Sequence, residues 1–135
     1  MGRLAVLVSL IAMLVLGAAG QTGAGNPQAP LSTPELKQII GSGKKNTIVF
    51  FQNPQGGPCR AQNEVLQKLH KDRKGNFNIA NVSTLKPEDQ KAFYEYGIRN
   101  LPQLVLVDGK GKIVNFFPPG IQSYEALTAA LDGIK

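Results

Sequence analysis

The stretch Ile48-Val49-Phe50-Phe51-Gln52-Asn53-Pro54-Gln55-Gly56-Gly57-Pro58-Cys59-Arg60 passes from strand to loop to helix. With Thr47 in front, its first five residues are β-branched or aromatic. Such a short apolar run predicts a strand buried on both faces. Asn53 to Gly57 reads as a loop, because Asn, Pro and Gly punctuate local structure. Pro58 suits the first turn of a helix, where its missing N–H costs nothing. Val65, Leu66 and Leu69 then continue as a buried helical stripe. Cys59 therefore stands at a helix N-terminus. Free backbone N–H groups and the helix dipole favour an anion there, and the thiolate is the reactive form of cysteine. The competing reading is a small buried hydrophobe, which free cysteine often is.

The neighbouring segments supply the rest of one domain. Ser32-Thr33-Pro34-Glu35 looks like a helix start, with either Ser32 or Thr33 as the cap. Leu36, Ile39 and Ile40 follow at helical spacing. Phe77 to Val82 reads as a second strand, and Pro87 opens a helix carrying Ala92, Phe93 and Tyr96, with Gly97 as its C-cap. Gln103 to Val107 and Lys112 to Phe117 flank Asp108-Gly109-Lys110-Gly111, a hairpin signal. Ser123 caps a last helix with Tyr124, Leu127, Leu131 and Ile134 inward. The order α-β-α-β-α-β-β-α predicts an α/β fold, one mixed sheet of about four strands between helix layers. The first two strands, joined through a helix, should be parallel with a right-handed crossover.

Composition bounds the chemistry. The 135 residues carry fifteen basic and nine acidic side chains and one cysteine. One cysteine excludes an internal disulfide, a dithiol pair and a multi-cysteine metal cluster on a single chain. Met1-Gly2-Arg3, the apolar run Leu4 to Leu16 and the small residues Gly17 to Gly20 have the layout of a cleaved secretory signal peptide over residues 1–20. An uncleaved membrane anchor is the competing reading. Residues 21–30 (QTGAGNPQAP) read as a flexible linker, leaving residues 31–135 as the domain. His70 lacks partners for a metal site. No metal and no cofactor is called for, and export argues against nucleic acid as the target of the Lys68–Lys74 cluster.

The 48–60 stretch resembles the active-site segment of the thioredoxin family, an apolar strand followed by W-C-G-P-C and a basic residue. Tyr96-Gly97-Ile98-Arg99-Asn100-Leu101-Pro102 is similar to that family's Y-G-I-R-x-I/V-P, and the hairpin, Gly120 and final helix fall in matching places. The resemblance covers roughly residues 31–135. It implies the three-layer α/β/α thioredoxin-like fold, with Pro102 in cis and facing the active site. Leu101 would then expose backbone for an extended peptide, a general binding mode.

The departures from the pattern carry the functional argument. Aligning Gly57-Pro58-Cys59 on G-P-C puts Gly56 where the family has its nucleophilic cysteine and Cys59 at the second, resolving position. Gln55 replaces the tryptophan, Phe50 the buried aspartate and Gln103 the common threonine. A dithiol reductase forms a mixed disulfide with one thiol and releases it with the other, at a very high effective concentration. With one thiol, release must come from outside, from glutathione or another thiol protein. A peroxiredoxin-like site is poorly matched, since Gly56 and Gln52 stand where its Thr/Ser and Pro would be. Leu101-Pro102-Gln103 resembles the glutaredoxin V-P-Q/R segment, but that family's nucleophile would fall at Gly56.

Two functions follow as expectations. The first is an exported monothiol protein exchanging disulfides through a moderately accessible Cys59, with Gln55, Gly56, Gly57, Pro58, Leu101 and Pro102 meeting the client. The second is a non-catalytic peptide-binding or chaperone-like module using the same surface. A homodimer linked through Cys59 stays open, as does membrane association should the leader remain. Location would be periplasmic in a Gram-negative bacterium and secreted otherwise.

Overall fold

A computed structural model describes residues 26–42 and 45–134. The leader at residues 1–20 and the first part of the linker lie outside the described residues. In chain order the elements are α1 (Pro34–Ser42), β1 (Asn46–Gln52), α2 (Gly57–Asp72), β2 (Phe77–Ser83), a 3-10 turn (Pro87–Asp89) leading into α3 (Gln90–Tyr96), β3 (Gln103–Val107), β4 (Ile113–Phe116) and α4 (Tyr124–Asp132). Among the described residues, no helix is long and apolar enough to cross a membrane.

The four strands form one mixed sheet in the order β2-β1-β3-β4. β1 pairs parallel with β2 over its whole length and antiparallel with β3. The β3–β4 hairpin is antiparallel. Its turn is fixed by Asp108, whose carboxylate accepts the backbone N–H groups of Lys110 (2.9 Å) and Lys112 (3.0 Å). Gly111 stands there at φ +86°, a left-handed conformation that suits glycine.

The unbroken apolar run of β1 follows from its central place. Successive side chains point to opposite faces, and both faces are covered. Val49 and Phe51 join Leu36, Ile40, Ala92, Tyr96, Val105 and Val107 under α1 and α3. Ile48 and Phe50 join Leu66, Leu69, Leu104, Leu106, Leu127 and Leu131 under α2 and α4. Phe50 and Phe51 are fully buried; each contributes roughly 1.5–3 kcal/mol by leaving water. β2 is an edge strand, and Glu35 of α1 covers part of that edge by accepting the Asn81 backbone N–H.

Local signals set the helix ends. Thr33 is the first cap, its Oγ1 accepting the Leu36 N–H at 3.1 Å, with Pro34 following at the first helical position. Gly97 ends α3 in the left-handed region, and the Ser123 side chain caps α4 by accepting the Ala126 N–H.

The structure departs from the sequence expectation at residues 27–30, read above as the end of a flexible linker. The Ala29 N–H donates to Gly111 O and the Ile113 N–H to Pro27 O, both at 2.8 Å. Ala29 is buried. The Tyr96 hydroxyl donates to Pro30 O at 2.8 Å. Gln, Ala and Pro carry no strand signal, but the exposed side of the hairpin offers backbone groups that a passing chain can pair.

Burial pushes the Tyr96 phenol above its ordinary pKa of 10.0, with Glu95 adding to the rise. A raised folded-state value means that the neutral phenol is favoured in the native protein. Its stabilisation is therefore complete below about pH 10 and declines at higher pH. We predict that Tyr96→Phe lowers stability at pH 7 by about 1 kcal/mol through the lost hydrogen bond and flattens the loss above pH 10. Urea unfolding at several pH values checks both effects.

Candidate functional site

The strand register brings the two singled-out loops together. Phe51 lies opposite Gln103, so the segment after β1 and the segment before β3 leave the same end of the sheet side by side. The first carries residues 53–59 and the second Leu101 and Pro102. The Leu101–Pro102 peptide bond is cis. Pro102 is buried and Leu101 half-buried.

Cys59 lies in the first turn of α2. Gly56 is the N-cap, in extended conformation, and Pro58 sits in the first turn. The Arg60 N–H donates to Gly56 O at 3.0 Å, which opens the helix. Ahead of it, Asn53 builds the loop twice over. Its carbonyl accepts the Gly56 N–H at 2.9 Å, and its side chain accepts the Gln55 N–H at 3.1 Å. Its own N–H donates to Cys59 Sγ at 3.4 Å. The sulfur thus receives a backbone donor from the preceding loop as well as facing the helix N-terminus.

The sequence expectation of a moderately accessible Cys59 is corrected: the residue is 3% exposed. The apolar stripe of α2 explains this, since Cys59, Gln62, Leu66 and Leu69 recur at helical spacing on its buried face. Position 56 stands beside the sulfur. A Cβ built on Gly56 would lie 3.8 Å from Cys59 Sγ and 3.3 Å from Asn53 O. At Gly57 an added Cβ would meet nothing within 4 Å. Gln55, Gly57, Pro58 and Arg60 are exposed. β1 supplies no ionisable side chain here, Phe50 being fully buried. Among the described residues, no group of three or more His, Cys, Asp or Glu side chains converges on a metal position.

Three site residues were missed in the sequence. Asn53 had a signal, because an Asn side chain commonly bonds backbone two residues on in a turn. Gln62 and Gln122 form a clamp. Gln62, fully buried, donates through Nε2 to Gln122 O at 3.2 Å and accepts the Gln122 N–H at 2.6 Å. The clamped loop returns to the proline, since the Gly120 N–H donates to Pro102 O at 2.9 Å. The i, i+3 spacing from Cys59 was a signal for Gln62 that the sequence reading did not use, and nothing in the sequence names its partner. Outside the site, His70 rests edge-on against Phe77 with ring centroids 5.2 Å apart.

A thioredoxin-like domain model matches residues 33–135, and the chain belongs to that family. It is 27% identical over 85 residues to thioredoxin 1 of Nostoc sp., covering 63% of this chain and 78% of that protein. It is 29% identical over 82 residues to the chloroplastic thioredoxin M4 of Arabidopsis thaliana, covering 61% of this chain and 42% of that one. Among solved structures, an uncharacterised thioredoxin-like protein from Clostridium perfringens superposes with a TM-score of 0.61 at 21% identity, over 67% of this chain and 71% of that one. The pneumococcal exposed lipoprotein thioredoxin of Streptococcus pneumoniae gives 0.57 at 18% identity, over 67% and 86%. Family membership supports a redox or thiol–disulfide role in general.

Gln62→Met keeps the side chain's length and removes both bonds of the clamp, stranding the Gln122 N–H and C=O. We predict a stability loss of about 1–3 kcal/mol, measured by urea unfolding. Faster amide hydrogen exchange at Gly120 and Gln122 should accompany it.

Proposed function

We propose that this protein engages in thiol–disulfide exchange through Cys59 alone, with position 56 as the vacated place of the family's first cysteine. The observation that carries this reading is the 3.8 Å between Cys59 Sγ and the Cβ that Gly56 lacks. The glycine leaves room beside the sulfur for a sulfur atom brought by a partner. The sulfur sits in the first turn of α2 and accepts the Asn53 N–H.

The step balances without a second thiol on the chain. The Cys59 thiolate attacks one sulfur of a partner disulfide. The partner S–S bond breaks, a Cys59–partner disulfide forms, and the other partner sulfur leaves as a thiolate. An external thiolate then attacks the mixed disulfide and returns Cys59 to its reduced form. Glutathione or a thiol protein would supply those electrons. Cysteine-bearing clients would lie along Gln55, Gly56, Gly57 and Pro58 and pair with backbone at Leu101. The signal-peptide layout of residues 1–20 supports export, and a pneumococcal exposed lipoprotein thioredoxin shares the fold.

One observation favours a second reading, a module that binds extended peptide without exchange. Cys59 is 3% exposed, so attack requires a partner to fit closely over Gly56.

The experiment is exposure of the reduced protein to oxidised glutathione, read by intact mass. Exchange predicts one glutathione adduct, absent in Cys59→Ser. Gly56→Ala should slow its formation on the order of tenfold, about 1.4 kcal/mol in the barrier, because the added methyl fills the approach. An adduct on the urea-unfolded chain with none on the folded one would leave the peptide-binding reading alone.

A further inference from the structure

The charge of this protein is divided between the two ends of its sheet. The β1 N-terminus, the β2 N-terminus and the β3–β4 hairpin share one end, since Asn46 pairs with Phe77 and Thr47 with Val107. The C-terminal turn of α2 reaches the same end, where the Lys45 ammonium donates to Gly75 O. So does the C-terminus of α4, where Asp132 pairs with Arg73 at 3.0 Å. Lys45, Lys68, Lys71, Arg73, Lys74, Lys110 and Lys112 gather there against Asp72, Asp108 and Asp132. The remaining described residues hold five basic and six acidic side chains. One end is thus strongly positive and the other described residues together slightly negative.

The pairing at this end leaves an unspent excess. Asp72 is taken by Lys68 at 2.9 Å and Asp132 by Arg73. Asp108 is half-buried and spends its carboxylate on the hairpin backbone. Lys45, Lys71, Lys74, Lys110 and Lys112 are exposed and face no carboxylate of their own among the ion pairs at this end.

These ammonium groups do not converge on a pocket. β2 and β4 lie at opposite margins of the sheet, roughly 15 Å apart at about 4.8 Å per strand. That spread fits a broad anionic surface rather than a small anion. The chain favours a membrane as that surface on the reading that keeps the leader as an anchor, since the apolar run Leu4 to Leu16 precedes the fold. The backbone enters at Pro27, paired to Ile113 just beyond the hairpin, so a chain held at a bilayer through that run arrives at the basic end.

We propose that the basic end, centred on Lys71, Lys74, Lys110 and Lys112, seats the domain on an anionic lipid surface with Cys59 and Pro102 turned away from it. α2 joins the two ends, and its sixteen residues span about 24 Å. The site would therefore stand clear of the headgroups, open to clients from solution. This orientation rests on the site described above, whereas the lipid contact itself does not.

The test is co-sedimentation of the full chain with vesicles of phosphatidylcholine alone or of equal parts phosphatidylcholine and phosphatidylglycerol. The leader, Arg3 included, contributes to both, so the fall in their ratio on replacing the lysines isolates the charged end. The anionic vesicles should bind at least tenfold more tightly at low salt, each lysine giving about fivefold, and the preference should vanish near 0.5 M salt, where screening is short-ranged. Joint replacement of Lys71, Lys74, Lys110 and Lys112 by Gln should abolish the preference while leaving glutathione-adduct formation at Cys59 unchanged. Lys86→Gln with Lys91→Gln, away from this end, should retain it. Equal binding to both vesicles, or equal loss in the two variants, would overturn the proposal. So would tighter binding of the wild type to soluble polyglutamate than to the anionic vesicles, which would make an acidic protein the partner. Failed glutathione exchange with intact vesicle preference would remove only the reading of Cys59.

Discussion

β1 has neither a free edge nor a free face, and the rest of the molecule is arranged around that constraint. Its backbone is paired on both sides, by β2 and by β3. Its side chains divide between two cores, Val49 and Phe51 on one face and Ile48 and Phe50 on the other. A strand in that position has a fixed register, because a one-residue slip would exchange the two faces. The end of β1 is therefore a well-defined point, and the loop bearing Asn53 and Gly56 starts from it. The antiparallel register with β3 places the cis-proline segment beside that loop. The site is a consequence of the central strand rather than an addition to it.

The same constraint explains the chemistry that remains. On the proposed reading of position 56 as the vacated first thiol, the sulfur that is left belongs to the helix stripe and is buried with it. What the fold still provides is a place in the first turn of α2, a backbone donor from Asn53 and a missing side chain at Gly56. The first two are properties of backbone geometry, whereas the third is itself the departure from the thioredoxin pattern. Phe50 removes a candidate proton acceptor and gives the core an additional aromatic ring in its place.

The sequence was legible wherever periodicity and punctuation agree. The β1 run, the Asp108–Gly111 hairpin, the Gly97 stop and the order of elements all follow from short-range patterns that tertiary packing reinforces. The pairing of residues 27–30 was not legible, because its donors and acceptors are backbone atoms and its side chains carry no strand preference. The Gln62–Gln122 clamp was hidden for another reason: it joins residues sixty positions apart through one side chain and one peptide unit. The burial of Cys59 was in principle readable from its spacing with Leu66 and Leu69. The expectation of a moderately accessible thiol left that spacing out, and helix packing buries the residue. Charge segregation was invisible in the net charge, since it requires knowing which strand ends meet.

The central claim is that position 56 is the vacant half of a dithiol site otherwise held in place. Gly56→Cys tests it most directly. The substitution is compatible with the extended backbone at that position and asks Asn53 O to give by a few tenths of an ångström. The account predicts that mild oxidation removes two hydrogens from the variant's mass through an internal disulfide with Cys59, and that the reduced variant cleaves insulin disulfides while the wild type does not. A folded variant that keeps both thiols free under the same oxidation, or a wild type that reduces insulin equally well, would contradict it.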